Sequence, residues 1–545
     1  MYRTGVLVTA LFLAVAALLA AGGREAARAK GTGNEGKVPE RAGGRIERCV
    51  SCHVRADEDP GGAHARSALG CASCHLGNPL AFEKERAHAG MEPEPGALQT
   101  AALTCGREGC HPSEAARVAS SLMARGSGII AVDRFAFGET SSPDGDDTMV
   151  ALLAKKAVTP AEDHLQKLCA GCHLFARRAN RDDAIRGNGS GCAACHVARR
   201  KEGEKRAHPP IDSRASDDRC YGCHSRSGRI SLTYDGLFEV EPAQEATTTL
   251  EDGRRACRAG KDVHRDFGLG CVDCHLHTDL MGDGNAHRHK EDQVEITCEA
   301  CHGPVRPGGA STWGEMADPV TKALLARRKE ARLPDESVRL GRRGTPVWNL
   351  RPDGQGGWVL ITKSEGKRLP VKRTPQDRNH RLKGHERLSC SACHAAWAPR
   401  CDTCHVAHDP AGQWDFAAGR ETAGKWTEES QGFSASPPAL GVRADGTIVP
   451  AIPGMLMTVE PGPGLRHEVR LYAPIEPHST GRRARTCASC HTAEASGLVA
   501  GHVPWSGTRT GFRQLDPEAL TRLAAVSRTP SYRADFPGPR RPALP

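Results

Sequence analysis

Twenty-two of the 23 cysteines stand in pairs closed by a histidine. Ten segments read C-x-x-C-H. They are Cys49/Cys52/His53, Cys71/Cys74/His75, Cys169/Cys172/His173, Cys192/Cys195/His196, Cys220/Cys223/His224, Cys271/Cys274/His275, Cys298/Cys301/His302, Cys390/Cys393/His394, Cys401/Cys404/His405 and Cys487/Cys490/His491. An eleventh has a longer spacer, Cys105-GREG-Cys110-His111, and only Cys257 is left over. Many cysteines in an exported chain ordinarily mean a disulfide framework. The histidine after every pair points elsewhere. C-x-x-C-H is the attachment motif of c-type haem, in which two thiols bond to one porphyrin and the adjacent imidazole ligates its iron. Zinc sites need no histidine directly after each second cysteine, and redox dithiols do not recur eleven times. The expectation is therefore haem c, about eleven groups, covalently attached. An ordinary disulfide is the alternative at Cys105/Cys110. Cys257 is open to a free thiol, an intermolecular disulfide or a reactive ligand.

Each iron offers a second axial position, and fourteen of the 25 histidines remain once the proximal ones are set aside. His64, His164, His264 and His385 lie five to seven residues ahead of a motif, a spacing that lets a short turn deliver a ligand to a neighbouring haem. His277 and His408 closely follow a proximal histidine, and His478 precedes the last motif in PHSTGRRARTCASCH. His208 and His289 complete the candidate distal set. His88, His287, His380, His467 and His502 read equally well as surface residues or as partners of haem propionates. At least three of the fourteen must do something else if each haem takes one. Eight methionines make Met ligation a minor pattern. No catalytic residue is singled out.

The elements that hold these residues are constrained by composition. Leu, Ile, Val and Phe number 91 of 545, aromatics are 4% and charged residues 26%. Ordering the backbone costs about 1–2 kcal/mol per residue, which so few apolar side chains cannot offset over several ordinary cores. A typical large multi-domain enzyme built around sheet cores is therefore not expected. The expected fold class is a multihaem cytochrome c, in which short helices and loops wrap stacked haems whose flat faces replace the missing core. Each covalent tether closes a loop, and the chain without haem is not expected to fold.

Charge and targeting narrow the setting. Lys plus Arg exceed Asp plus Glu by nine, but the charge is spread along the chain and stacking aromatics are few, so nucleic acid is not the expected partner. Ionised propionates leave each ferric haem at about −1, so the basic excess matches the expected cofactor internally. Arg3 followed by the uncharged run Gly5 to Gly23, with small residues at its end, reads as a secretory signal peptide. An uncleaved anchor is the alternative. No transmembrane segment is expected after cleavage. The expected location is exported: periplasmic, outer-membrane-associated or extracellular.

Motif spacing divides the chain. After the signal (1–23) and a linker (24–48), residues 49–302 form an eight-haem region. A haem-free insertion follows at 303–389, with a short basic helix expected over 317–332 and β structure over 340–375. A tight haem pair is expected at 390–409, where an 11-residue step from Cys390 to Cys401 should bring two haems into contact. A Gly/Pro-rich insertion at 410–480, with β structure over 440–475, leads to the last haem at 481–499 and a tail at 500–545.

The stretches VHRDFGLGCVDCHLHTDLMGDG, HERLSCSACHAAWAPRCDTCH and EPHSTGRRARTCASCH resemble the paired motif blocks of the large multihaem c-type cytochromes of anaerobically respiring and metal-reducing bacteria. The resemblance covers haem attachment over 49–491. It implies electron transfer along closely spaced, mostly bis-histidine haems in anaerobic or extracellular respiration. It also implies redox partners: a periplasmic or inner-membrane donor and an outer-membrane cytochrome or porin acceptor. Two other functions stay open. One is a terminal reductase of a small oxyanion such as nitrite, tetrathionate, sulfite or selenite. The other is a structural subunit of a porin–cytochrome complex or filament. No motif here has Lys in place of the proximal histidine, as the nitrite enzymes do, and none has a very long spacer.

Overall fold

The computed structural model describes residues 40–491, less short internal stretches of which 54–61, 178–189, 199–207, 306–312 and 329–337 are the longest, together with 513–514. The signal segment, most of the linker, Cys401, His502 and nearly all of the tail lie outside the described residues.

Helices are short because the sequence stops them early. The longest described, Ser127–Ala136 and Pro319–Arg328, have ten residues each, and the second lies within the stretch read as a basic helix. Leu122–Arg125 ends at Gly126, whose φ of +63° suits a residue without a Cβ. Pro160–His164 opens on a capping box, in which Thr159 and Glu162 satisfy each other's backbone N–H. It runs into a single π-turn, Leu165–Cys169, that delivers the first cysteine of a motif.

Most motifs themselves are one helical turn. Cys49–Cys52, Ala72–His75, Ala193–His196, Asp217–His224, Cys271–Cys274, Cys298–His302, Cys390–His394 and Ala488–His491 are helical, and Ala170–Cys172 is a 3-10 turn. Thr297 and Ser389 cap two of these turns by accepting the N–H of Ala300 and Ala392.

The β structure is segregated. Strands Leu350–Pro352, Trp358–Ile361 and Arg368–Val371 form an antiparallel sheet with the middle strand central. Its first turn is tied by Asp353, which accepts N–H bonds from Gln355 and Gly357. A smaller sheet of Leu237–Glu239, Thr248–Thr249 and Arg255–Arg258 holds Cys257, whose thiol donates to the Glu245 carbonyl at 3.0 Å. The largest sheet has β1 (Thr403–Gln413), β2 (Ala423–Gln431), β3 (Met455–Gly462) and β4 (Leu465–Leu471). Its order is β2-β1-β3-β4, with β1 parallel to β3 and the other pairs antiparallel.

Apolar burial is divided among several small clusters. One joins Leu269, Leu276, Val347, Leu350, Trp358 and Leu360, with Cys274 and Cys301 packed on it. Another joins Ala136, Phe137, Ala161, Val406, Trp426, Met457 and Val459, with Cys404 at its margin. A third, around Ile130, Met149 and Leu165, touches Cys169. The largest of these holds eight buried residues, which is how a chain this poor in aliphatic side chains distributes what it has.

The segment read as a tight haem pair at 390–409 behaves differently in its two halves. Cys390–His394 is a helical turn, but Thr403 onward is an inner strand of the largest sheet. Backbone pairing on both edges of β1 holds Cys404 and His405 extended, with Cys404 opposite Ser430 and Met457 and His405 opposite Glu429 and Thr458.

Candidate metal centres

Among the described residues, six motif histidines face a second histidine. His53 faces His88, His75 faces His208, and His111 faces His64, with ring centroids 6.1, 6.2 and 6.2 Å apart. His275 faces His478 at 6.3 Å, His302 faces His264 at 6.0 Å, and His394 faces His380 at 6.2 Å. A metal–imidazole bond is ~2 Å long. Adding the distance from each nitrogen to its ring centre puts two imidazoles on opposite sides of one metal about 6 Å apart. Ring contacts around Trp426 are closer, at 4.7 Å to His408 and 5.4 Å to His164 and Phe137.

The outer nitrogens are held as ligand imidazoles require. Nδ1 of His75, His302, His208 and His478 lies 2.9, 2.6, 2.9 and 2.8 Å from the carbonyls of Glu92, Lys372, Pro209 and Glu476. Nδ1 of His264 and His380 lies 2.8 Å from Asp262 and Asp377 carboxylates. Such bonds fix the tautomer with Nε2 unprotonated and orient the ring. Burial pushes the pKa of His75, His302 and His394 down, and that of His478 down to about 4. They are therefore neutral, the form that ligates metal. His478 also sits at φ +54°, a costly conformation for a non-glycine residue that the surrounding structure must impose.

The cysteines of different motifs meet in pairs. Cys49 lies beside Cys71, Cys105 beside Cys192, Cys220 beside Cys271, and Cys298 beside Cys390. The neighbouring thiol lowers one partner, Cys49 and Cys105 each to about 7. Carboxylates reinforce three of these pairs. Glu47 accepts the N–H of Cys71 at 2.7 Å and of Ala72 at 3.0 Å, Asp217 that of Cys271 at 2.8 Å, and Glu299 the thiol of Cys390 at 3.1 Å. Glu47 thus caps the next motif's helix, which explains its place among two thiols without invoking a metal. Second cysteines make the remaining links. Cys74 lies near Cys105 and Cys110, Cys274 near Cys301, and Cys393 near Cys490. The Cys223 thiol donates to the Cys172 carbonyl at 3.7 Å, and Arg219 donates to the Cys195 carbonyl.

The candidate distal histidines divide accordingly. His64, His208, His264 and His478 each meet a motif histidine, and so do His88 and His380, which spacing along the chain did not separate from surface residues. His164 is buried between Asp133 and Glu428, with Nδ1 3.0 Å from one carboxylate and Nε2 3.2 Å from the other. Both nitrogens are therefore engaged with carboxylates. Burial alone would lower its pKa, but the two carboxylates outweigh that and hold it at about 9. His277 and His289 face Asp318 and Asp144 at 3.7 and 3.5 Å, and His287 faces Asp283. His408 packs on Trp426. His467 lies on β4 beside Gly138, and the carbonyl of His385 accepts from Leu388 in the turn before Cys390.

Among the other motif histidines, His196 has Nδ1 3.0 Å from the Asp212 carbonyl, and burial lowers both it and His224. His173 lies against Gly126. His405 is 3.3 Å from Glu460. The signal that chain spacing could not supply for His88 and His380 is a three-dimensional one, a ring centroid about 6 Å from a motif imidazole.

No family model matches this chain, and neither a curated protein nor a solved structure does. Among the described residues no helix is long and apolar enough to cross a membrane.

Proposed function

We propose that this is an electron-transfer protein in which electrons move along one polypeptide through covalently attached c-type haems, mostly with two histidine ligands. The observation that carries this is the set of six imidazole pairs at 6.0–6.3 Å, each joining a motif histidine to one from elsewhere in the chain. Bound haem supplies the redox centre, an iron that takes up and gives back one electron.

The chain's own residues do the rest. The two thiols of a motif would hold the ring, and the helical turn keeps them beside the histidine that would ligate its iron. Carbonyls and carboxylates on Nδ1 orient the imidazoles and raise their basicity as ligands. Two imidazoles per iron leave no position for substrate, which favours transfer over catalysis. Contacts between cysteines, with the Arg219 bond to the Cys195 carbonyl between the motifs at Cys192 and Cys220, support a route from the motif at Cys49 through those at Cys71, Cys105, Cys192, Cys220, Cys271, Cys298 and Cys390 to Cys487, with Cys169 joining beside Cys220. Cys52, His53 and Cys487 at its two ends are exposed, where a donor and an acceptor would reach. An exported location, with a periplasmic or inner-membrane donor and an outer-membrane cytochrome or porin acceptor, belongs to the same reading.

Pyridine haemochrome analysis with low-temperature electron paramagnetic resonance tests it. The purified exported protein should carry about one haem per motif, with low-spin ferric signals dominant. Protein without covalent haem, or a spectrum dominated by high-spin iron, would refute it.

A further inference from the structure

We propose that the insertion at 303–389 sets the redox potential of two haems, those at 271–275 and 298–302, by holding the buried cations Lys363 and Arg339 against their motifs. This rests on the haem reading of both motifs. The two meet at their second cysteines. Cys274 and Cys301 lie near each other and pack on the cluster of Leu276, Val347, Leu350, Trp358 and Leu360. All of these but Leu276 come from the insertion, so its sheet is the wall on which the pair rests.

Each cation reaches the histidine end of one motif. Lys363 follows the strand Trp358–Ile361, is 9% exposed, and donates from Nζ to the His275 carbonyl at 3.1 Å. Arg339 is 7% exposed, and its Nη2 stands 3.3 Å from where a Cβ on Gly303, the residue after His302, would lie. An indole accompanies each. Nζ of Lys363 is 5.7 Å from the Trp348 ring centroid, and the Arg339 guanidinium is 5.6 Å from that of Trp358. Such contacts favour the charged form. The insertion also grips the second motif directly, through the Lys372 carbonyl at His302 Nδ1 and the Thr374 N–H on the His302 carbonyl at 2.8 Å.

Charge decides the sign of the effect. Burial pushes the Cys274 and Cys301 thiols up, while Lys363 pulls both back and Arg339 does the same at Cys301. Buried Asp273 is the countercharge, accepting the Lys363 backbone N–H. Asp217, on Cys271, is matched by Arg265 at 2.7 Å, and Glu299 bonds to Cys390. Two fixed cations against Asp273 leave the contact positive. An electron arriving from a neighbouring haem adds one negative charge, so these surroundings favour the reduced form. At an effective dielectric of about 20, one such cation shifts that equilibrium on the order of tenfold, which is about 59 mV for a one-electron couple.

The test is a potentiometric titration of the full-length, exported holoprotein, followed by haem absorbance, with haem content measured in parallel. In Lys363→Met about two haems per molecule should become roughly tenfold harder to reduce, and Lys363→Arg should match wild type. Arg339→Gln should shift at least one haem in the same direction, and it carries the test if Lys363→Met is not recovered with haem. A Lys363→Met titration superimposable on wild type at full haem content would overturn this inference alone. So would a Lys363→Arg protein shifted as far as Lys363→Met, or an unshifted Arg339→Gln. Wild-type protein without covalent haem would overturn it together with the wider reading.

Discussion

Removing the His164 imidazole should erase a pH-dependent part of the protein's stability. His164 is 2% exposed and sits between Asp133, from the helix Ser127–Ala136, and Glu428, from β2. It therefore pins the large sheet to the helical region. Its pKa is held at about 9 against an ordinary 6.5. A group raised in the folded state contributes stability that is full below about 6.5 and lost as pH rises through about 9. That difference corresponds to about 3 kcal/mol. The Glu428 side chain is 49% exposed, so water screens its share and about 2 kcal/mol is the working figure. In His164→Leu the buried Asp133 loses its partner, a change of the kind that costs about 3–5 kcal/mol. His164→Leu with Asp133→Asn should recover part of it. The assay is urea unfolding of the holoprotein, followed by circular dichroism at pH 6.5 and 9.5. The wild type should lose about 2 kcal/mol more than His164→Leu between those values. Equal losses in the two proteins, or a His164→Leu variant as stable as wild type at pH 6.5, would refute the reasoning.

Three other perturbations probe the candidate metal centres and their supports. Under the proposed haem ligation, His478→Ala should leave His275 without its facing ring, so that one iron would become high-spin by electron paramagnetic resonance and bind carbon monoxide when reduced; a spectrum identical to wild type would remove His478 as a ligand. Glu47→Ala removes the carboxylate that caps the helix at Ala72 and should destabilise the protein by about 0.5–2 kcal/mol, read from the urea midpoint. Gly126→Ala places a Cβ 2.7 Å from the His173 ring at φ +63° and should cost at least about 1–2 kcal/mol from the left-handed backbone alone; an unchanged melt would show that the ring and chain yield there.

The electrostatic supports share a design. The carboxylates Glu47, Asp217 and Glu299 each come from one motif or the residues just before it, and each bonds to the first cysteine of another motif. Each acid thus does locally what an aliphatic core does elsewhere, fixing the approach of two segments. An Asp217→Asn change would therefore be felt at Cys271, 54 residues away.

Much of this molecule is legible from residue types and spacing alone. The cysteine-histidine triplets stand out because their residues are contiguous, and contiguity is what a sequence displays. Short helices follow from Gly, Pro and close motif spacing, and the β structure expected over 340–375 is where a three-stranded sheet lies. Pairing is a different matter. His88 and His380 meet motif histidines because the chain returns on itself, while His164, as close to a motif as His385, is drawn off by two carboxylates. Asp133 and Glu428 lie 31 residues before it and 264 after it. Cys404 and His405 show the same limit most sharply. Their local sequence matches the other motifs, yet β2 and β3 supply backbone partners on both edges that outweigh it. What the amino-acid order determined by itself is the local chemistry; which imidazoles face each other, and which motif becomes a strand, was decided by contacts whose residues are far apart along the chain.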